Sequence, residues 1–415
     1  MEKNIFTLST EQSKAIGFGL QKKIREGLRE DGKEIACFPT YINPGKDFEG
    51  KVLALDWGGT NFRASIVQFV QGEKPVILEN LKQALSCKET EGFKQEDLFN
   101  AMAGLIGQLK HLDKTVTHIG YCFSYPAEST LKGDAILQRW TKEIDIPDML
   151  YKLVGEPLLA YLNRLDGMKD QFKTIKVVND TIACLFAGLA QPGYDSYIGL
   201  IVGTGTNMAA LIHRDQIEKL NREYRGGDLI PINLESGNLK PKYSDNEYLT
   251  EVDQRVDEQS NDRGRQLFEK AMSGGYIGSV FRNVFPDITI EPKFDGEKLN
   301  NMINYPALYK DEYVTVAKQI NARSAQLVAA SLAGLTLVLT AYEDKNTYNP
   351  SIRNICLAAD GSLFWSENKH GQDYSELVKE NLKTLLDSFG LGHIHFHVSH
   401  LEDANLVGSA IAALS

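Results

Sequence analysis

The sequence predicts an α/β protein of two domains, with a ligand-binding cleft between them. Its 415 residues are more than one compact domain usually holds. A hairpin pattern containing Gly59-Thr60-Asn61 recurs as Gly205-Thr206-Asn207, 146 residues farther along the chain. At 175–190 an apolar, strand-like run leads directly into a helix-like one. Self-similarity over a domain-sized interval indicates two related halves, and a cleft between such halves is the usual place for a small ligand.

The composition narrows the class of protein. The charge balance is acidic, with 45 Lys and Arg residues against 55 Asp and Glu residues. No basic run or basic-aromatic patch stands out, so we expect no nucleic-acid partner. Five scattered cysteines without a Cys-x-x-Cys pair are typical of reduced thiols in a cytoplasm. The first residues lack a signal-peptide pattern and no apolar run approaches the length that spans a bilayer, so we expect a cytoplasmic protein with no membrane contact.

The first elements in chain order are a helix and a β-hairpin. Residues 10–29 predict a helix with Thr10 as its N-cap and one apolar stripe, formed by Ile16, Leu20, Ile24 and Leu28. Residues 52–55 and 64–67 are strand-like, and Gly58, Gly59 and Thr60 lie in the turn between them. The glycines allow a turn whose N–H groups could cradle a phosphate, with Arg63 adding charge and Asp56 holding a water on Mg²⁺. The alternative is an ordinary Gly-Gly hairpin turn.

The next stretch combines a helix, a strand and three polar residues. Residues 98–112 predict an amphipathic helix, and residues 119–126 predict a strand that ends at a proline. Ser124, Thr141 and Lys142 could all hydrogen-bond a polyol. The alternatives are a plain turn serine and a solvated lysine.

A strand at 175–178 leads directly into a buried helix at 182–190. Asn179 and Asp180 stand at the junction. They could cap the helix, or Asp180 could act as a general base, because carboxylates at the carboxyl ends of parallel strands face the ligand cleft. Both interpretations are open at this point.

The second hairpin, at 197–212, contains Gly203, Thr204, Gly205 and Thr206 in its turn. The chain has no Walker Gly-x-x-x-x-Gly-Lys-Ser/Thr pattern. Met208 stands where the dinucleotide fingerprint requires its third glycine. These facts disfavour a P-loop enzyme and a dehydrogenase.

Two carboxylates follow. Glu235 lies inside the otherwise apolar, strand-like run 231–237, and a carboxylate in such a place needs a ligand, a cation or a hydrogen-bond network. Glu269 precedes a Gly-Gly break and could equally be a solvated helix residue. The charged run 245–265 predicts an exposed segment.

The C-terminal part predicts a long helix at 320–339 and a strand at 355–362. That strand ends in an Asp-Gly turn, where Gly361 and Ser362 could contact a phosphate or a ribose. Four histidines lie at 393, 395, 397 and 400. Three fall on one face of a strand and could bind a metal, although a half-exposed strand also explains the alternation.

These motifs, taken together, resemble the hexokinase family. Eight segments follow the family's order, and they lie at 55–63, 123–126, 140–142, 179–181, 203–207, 233–235, 273–278 and 359–362. The resemblance covers nearly the whole chain and is to a single-unit hexokinase or glucokinase of bacterial type. It implies the two-domain actin-like ATPase (ribonuclease H-like) fold, in which helices flank a mixed β-sheet in each domain. By analogy the small domain spans 44–178 and takes the C-terminal helix 404–415, while the large domain spans 179–403 and takes the segment 1–43.

The resemblance also implies a reaction, which is phosphorylation of a hexose at the 6-hydroxyl by Mg·ATP as the first step of glycolysis, with glucose as the first candidate. Asp180 matches the catalytic base. The sugar contacts match Ser124, Thr141, Lys142, Asn179, Asn207, Glu235 and Glu269. The nucleotide and phosphate contacts match Asp56, Gly58, Gly59, Thr60, Asn61, Arg63, Gly203, Thr204, Gly205, Thr206, Gly361 and Ser362. Asp56 would reach Mg²⁺ through water, and we expect a monomer or a homodimer.

The chain departs from the family pattern at Ser129, Glu143 and Ser236, and it lacks two glycines of the adenosine segment, at 404 and 406. The hexoses accepted and the phosphoryl donor are therefore open. Two other classes also remain as alternatives, a non-catalytic sugar sensor on the same scaffold and an actin-like ATPase or chaperone.

Overall fold

The computed structural model describes residues 5–45, 48–58, 61–85, 87, 92–141, 144–240, 249–288, 294–341 and 351–415. The strands in these ranges are β1 (Phe38–Pro39), β2 (Gly50–Trp57), β3 (Asn61–Phe69), β4 (Val76–Ala84), β5 (His118–Phe123), β6 (Ala127–Ser129), β7 (Ala135–Leu137), β8 (Thr174–Val178), β9 (Ser196–Val202), β10 (Thr206–His213), β11 (Leu229–Asn233), β12 (Asn354–Asp360) and β13 (His395–His400). The helices are α1 (Thr10–Arg29), α2 (Gln95–Ile106), α3 (Gly155–Leu162), α4 (Asp180–Leu189), α5 (Glu251–Gln259), α6 (Leu267–Met272), α7 (Gly274–Val284), α8 (Gly296–Asn304), α9 (Asp311–Leu339), α10 (Tyr374–Ser388) and α11 (Ala404–Ala413).

Two mixed sheets organise the fold and repeat one topology. The five-stranded sheet has the order β4-β3-β2-β5-β8, and the six-stranded sheet has the order β1-β11-β10-β9-β12-β13. In each sheet three consecutive strands pair antiparallel, and the first of them also pairs parallel with a later strand. The last two strands of each sheet are parallel as well. Both predicted hairpins are confirmed, and so is the α/β fold built from two related halves.

Helices α4 and α11 pack against each other between the two sheets. Helix α4 follows the last strand of the first sheet but packs on β9 and β12 of the second, whereas α11 returns to β2 and β5 of the first. Their backbones come close together at Gly408, where an added Cβ would lie 1.8 Å from the carbonyl oxygen of Ala183. This close crossing explains why the apolar side chains between the sheets form a core cluster of their own. The domain boundaries at 178 and 403 stay predictions.

The ends of three helices differ from the predictions. The predicted stripe of α1 is buried, but its N-cap is Ser9, which makes a capping box with Gln12. Helix α2 begins at Gln95 and ends at Ile106, earlier at both ends than predicted. Helix α9 begins at Asp311, nine residues earlier than predicted. Polar first turns without apolar periodicity account for the early starts of α2 and α9.

The expectation that no apolar segment is long enough to cross a membrane is wrong for α9. Among the described residues, α9 is the one helix that is long and apolar enough to cross a membrane. Its most apolar window is 89% buried inside the protein, where it packs against α1 and α10. A central core helix meets the same criterion as a membrane span, because it too is surrounded by apolar atoms.

The charged run 245–265 is also not simply exposed. Residues 251–259 form α5, and its Asp253 is buried beside the guanidinium group of Arg323. Arg323 donates from Nη1 to Asp253 Oδ2 at 2.7 Å and from Nη2 to Oδ1 at 2.8 Å. The charge count of a segment cannot reveal such a pairing, since the partner lies 70 residues away.

Candidate active site

The carboxyl ends of three parallel strands bring the first group of predicted site residues together. Asp56 of β2 pairs in register with Cys122 of β5, which pairs with Val178 of β8. Ser124 directly follows β5 and Asp180 lies two residues after β8, and Cys122 Sγ lies 3.9 Å from Ser124 Oγ. Burial raises the pKa of the Cys122 thiol well above its usual value, and the nearby charges of Asp56 and Asp180 raise it further. The two carboxylates therefore flank one buried side chain.

The sequence left open whether Asn179 and Asp180 cap helix α4 or contact a ligand, and the structure shows a different environment for each. Asn179 is the N-cap of α4, since its Oδ1 accepts from the backbone N–H of Ile182 at 2.9 Å. Asp180 is half-buried, and its Oδ1 accepts from the N–H of Thr181 at 2.8 Å and from the Thr181 hydroxyl at 3.2 Å. Among the described residues no donor reaches Asp180 Oδ2. The cap thus depends on Asn179, and one oxygen of Asp180 remains available to a ligand.

Arg63 makes contacts that the sequence did not suggest. Its Nε and Nη2 donate to Asp56 Oδ2 at 2.9 and 2.6 Å. Its Nη1 donates to Asp403 Oδ1, at the start of α11. The guanidinium group is thus paired with two carboxylates, and its predicted contact with a phosphate stays a prediction. Asp403 was missed because no local pattern links it to a residue on β3.

Glu235 lies just beyond β11 and not inside the strand, as the sequence had suggested. Its backbone is left-handed, with φ of 58°, and a short 3₁₀ turn follows. Its Oε1 accepts from Asn233 Nδ2 at 2.8 Å and from Asn207 Nδ2 at 3.5 Å. Burial raises the pKa of Glu235, the hydrogen bond from Asn233 lowers it, and the charge of Asp180 raises it again. The residue has the hydrogen-bond network that a buried carboxylate requires.

Glu269 of α6 is not a solvated helix residue, because its side chain contacts the first residue of β10 in the second hairpin. Its Oε2 accepts from the backbone N–H of Thr206 at 2.8 Å. Burial raises the pKa of Glu269 to about 7, the hydrogen bond from Thr206 opposes this shift, and the charge of Glu235 adds to it. Glu235 and Glu269 thus lie close enough to influence each other electrostatically.

The turn of the second hairpin lies against two other backbone segments. Gly203 N–H donates to the carbonyl of Gly205 at 2.9 Å, and the N–H groups of Gly274 and Gly275 in α7 donate to the carbonyls of Gly203 and Thr204 at 2.7 and 3.0 Å. Thr206 Oγ1 donates to the Ile201 carbonyl at 3.1 Å. Gly274 and Gly275 are therefore part of the site although they were not among the predicted site residues, and their Gly-Gly pattern was a usable signal.

Gly361 also lies against the turn of the second hairpin. Its φ is 114°, and an added Cβ would lie 2.3 Å from the carbonyl oxygen of Val202. Ser362, which follows it, is exposed. The turn after β12 and the turn of the second hairpin therefore lie side by side, which is possible only with glycine at this position.

The remaining predicted residues are less completely placed. Thr141 follows Trp140, whose ring packs on Tyr125 at 5.0 Å between centroids, so Thr141 lies near the Ser124 turn. Gly58 is half-buried and Asn61 is exposed at the start of β3. Gly59, Thr60 and Lys142 lie outside the described residues.

Six of the described candidates therefore fall into two neighbouring groups. The first contains Asp56, Ser124 and Asp180, and the second contains Asn207, Glu235 and Glu269. Asp180 is close enough to Glu235 for its charge to raise the pKa of that carboxyl group, which shows that the two groups lie near each other. Gly361 and the second hairpin turn form a separate cradle of backbone beside the second group.

The described residues contain no group of three or more His, Cys, Asp or Glu side chains placed to hold a metal ion. The suggested metal site formed by the histidines near β13 is therefore wrong. His395 and His397 alternate along the edge strand β13, which explains their spacing. Mg²⁺ needs no such cluster, because it binds nucleotide phosphates, water and one or two carboxylates. Asp56, a buried carboxylate at a strand end, fits that requirement.

Comparisons with known proteins agree with this geometry. Residues 2–189 match one family model described as hexokinase, and residues 197–314 and 299–415 match a second. Hexokinase-9 of Oryza sativa is 27% identical over 450 residues, covering 96% of this chain and 86% of the relative. Hexokinase-1 of Saccharomyces cerevisiae is 32% identical over 304 residues, covering 69% of this chain and 60% of the relative.

A structural comparison supports the fold separately. The hexokinase from Schistosoma mansoni complexed with glucose superimposes with a TM-score of 0.74 at 23% identity, covering 99% of this chain and 96% of that one. The actin-like architecture expected from the sequence is confirmed, while the bacterial type stays a prediction. The matched family models span nearly the whole sequence and include both groups of the site. The chain therefore belongs to the hexokinase family, whose enzymes phosphorylate hexoses with ATP.

Proposed function

We propose that this chain transfers the γ-phosphoryl group of ATP to the 6-hydroxyl of a hexose, with glucose as the first candidate and Asp180 as the general base. The observation that carries the proposal is the free carboxylate oxygen of Asp180, in a side chain near enough to Glu235 for its charge to raise the pKa of that residue. One Asp180 oxygen is fixed by two hydrogen bonds from Thr181, at 2.8 and 3.2 Å, while no described donor reaches the other. A base that is held rigidly at a strand end can accept the hydroxyl proton as the phosphoryl group moves.

Sugar binding follows from the hydrogen-bond inventory of the second group. Glu235 uses Oε1 to accept from two asparagines, and Glu269 uses Oε2 to accept from Thr206. Within the described ranges each carboxylate keeps one oxygen without a donor. Each sugar hydroxyl can donate one hydrogen bond, so the pair can accept two hydroxyls of a hexose. We infer that Ser124, Thr141, Lys142, Asn179 and Asn207 complete the sugar site.

The phosphates would lie at the two hairpin turns. Backbone N–H groups in turns attract anions, and the glycines at 58, 59, 203, 205 and 361 allow a phosphate to approach the main chain. We infer contributions from Thr60, Asn61, Thr204, Thr206 and Ser362. Mg²⁺ would neutralise charge on the transferred group, and Asp56 would hold it through water.

The first experiment is a coupled assay of ADP production with a panel of hexoses, for the wild type and Asp180→Asn. We expect this substitution to lower kcat by about 10² to 10⁴-fold with little change in hexose affinity. It keeps the size of the side chain and leaves the Asn179 cap intact. Asp215→Asn is the matched control, because Asp215 is 80% exposed and its change should leave kcat unaltered.

Two outcomes would contradict the proposal. Turnover of Asp180→Asn within a few-fold of the wild type would show that another group is the base. Tight hexose binding by the wild type, without turnover from ATP, GTP, ADP or pyrophosphate, would favour the sugar sensor. The five cysteines are all unpaired thiols, which supports a cytoplasmic location as part of this proposal. The place at the first step of glycolysis is inferred from the proposed reaction itself.

A further inference from the structure

Lys270, next to Glu269 on α6, has a buried ammonium group surrounded by oxygen atoms. Its side chain is 2% exposed. Nζ donates to Asp257 Oδ1 at 2.8 Å, to Ser260 Oγ at 2.9 Å and to the carbonyl of Asp262 at 3.0 Å, and it lies 2.8 Å from Asp262 Oδ1. We call Lys270 with these three residues the ammonium cage. A buried lysine of this kind is tolerated only with such partners.

The ammonium cage joins α6 to the end of α5 and to the turn between them. Asp257 lies in the last turn of α5 and also accepts from the N–H of Gly264 at 3.0 and 2.9 Å. Gln266, with φ of 50°, then redirects the chain into α6. The turn that precedes α6 is therefore held at Gly264 by the Asp257 carboxylate and at Asp262 by the Lys270 ammonium group.

Lys270 and Glu269 are consecutive residues, so their side chains leave α6 about 100° apart around the helix axis. Lys270 points into the ammonium cage, while Glu269 reaches the N–H of Thr206 on the second hairpin. A rotation of this short helix would break both contacts together. Fixing the lysine thus fixes the direction of the glutamate.

The groups that face Glu269 come from four elements. They are Glu235 after β11, Asp262 in the turn, Lys270 on α6 itself and Tyr276 on α7. The charges of Glu235 and Asp262 raise the pKa of Glu269, and the charge of Lys270 lowers it. The lysine therefore also favours the charged form of the carboxylate at neutral pH.

We propose that Lys270 is a positioning residue for hexose binding, whose cage holds α6 so that Glu269 presents a carboxylate oxygen to a sugar hydroxyl. This inference rests on the proposed function, because it assumes that Glu269 contacts the hexose. It assigns Lys270 no contact with substrate.

The test compares Lys270→Met, Asp262→Asn and the double variant over about pH 6 to 9, measuring kcat and the KM values for hexose and ATP. For Lys270→Met we expect the hexose KM near pH 7 to rise about tenfold and the pH below which affinity falls to move upward. For Asp262→Asn we expect the pH below which hexose affinity falls to move downward. In the double variant that pH should return toward the wild-type value. The ATP KM should stay within about threefold in all three.

Opposite shifts of that pH would follow from the charges of Lys270 and Asp262 alone. A hexose KM that stays raised in both single variants at about pH 9, where Glu269 is ionised in each, together with an unchanged ATP KM, would support positioning. If Lys270→Met does not fold, Asp262→Asn still decides, because the Asp262 side chain is 36% exposed and its change is mild. An Asp262→Asn profile identical to the wild type would overturn the inference while the wild type remains active. Failure of the wild type to bind or phosphorylate any hexose would instead overturn the proposed function.

Discussion

Arg63 and Asp403 form an ion pair although 340 residues separate them in the chain. Arg63 belongs to β3 of the first sheet, and Asp403 opens the C-terminal helix α11 with a left-handed backbone. The same guanidinium group holds Asp56 at the end of β2. The pairing thereby joins the first hairpin to the helix that packs between the sheets.

Replacing Arg63 by Met should lower the free energy of unfolding by about 1 to 3 kcal/mol, because Asp56 and Asp403 lose their charge-assisted hydrogen bonds. Urea denaturation measures this change. Arg63→Lys should give an intermediate loss, since an ammonium group cannot form the two-sided fork. If Arg63→Met costs the same in an Asp403→Asn background, the pair with Asp403 contributes nothing.

Hexose binding and stability should respond to pH in opposite directions through Glu269. Its pKa in the folded protein is about 7, above its usual value of 4.5. The ionised form accepts sugar hydroxyls better, so hexose affinity should rise as the pH increases through about 7. The unfolded chain ionises at lower pH, so this group's contribution to stability is full below about 4.5 and is lost as the pH rises through 7.

Two measurements compare the wild type with Glu269→Gln, each at about pH 5 and pH 8. The first is a hexose titration monitored by tryptophan fluorescence, and the second is urea denaturation. Gln cannot ionise, so the variant should bind hexose more weakly, lose the rise in affinity near pH 7 and lose less stability between the two pH values. An unchanged pH dependence in Glu269→Gln would mean that another group titrates.

The buried pair of Arg323 with Asp253 should be important for stability. Arg323 is fully buried, and Asp253 is 3% exposed at its side chain. Arg323→Met would leave that carboxylate without its partner, at a cost of about 3 to 5 kcal/mol in the free energy of unfolding. Lys379→Ala on α10 is the control, because its ion pair with Glu376 is exposed and should cost less than about 1 kcal/mol. Similar losses in both variants would refute the argument from burial.

Gly361→Ala should weaken nucleotide binding. The added Cβ would lie 2.3 Å from the Val202 carbonyl oxygen, so the turn after β12 must move away from the second hairpin. We expect the ATP KM to rise about tenfold or more, with a smaller effect on the hexose KM. Gly104→Ala in α2 is the control, since nothing lies within 4 Å of its added Cβ and alanine favours a helix. An ATP KM unchanged by Gly361→Ala would remove this turn from the nucleotide site.

The local patterns of the sequence were sufficient for the strand and helix framework. Both hairpins, the strand before Asp180 and the helix after it followed from apolar spacing and turn residues, which act over a few positions. The order of the motifs identified the family, and the family implied the fold. The proximity of Asp180 and Glu235 is consistent with that reasoning, since carboxylates at strand ends lie toward a common edge.

The partners of the charged side chains were decided only by the tertiary structure. Arg63 with Asp403, Arg323 with Asp253 and Glu269 with the N–H of Thr206 are separated by 340, 70 and 63 residues. The sequence marked Glu269 as ambiguous and the segment around Asp253 as exposed, because charge alone does not tell whether a residue meets water or a partner. The sequence determined which residues could form strands, turns and a phosphate-transfer site. The packing of helices α4, α6, α9 and α11 decided which charges meet, since ion pairs form between atoms that are close in space and not along the chain.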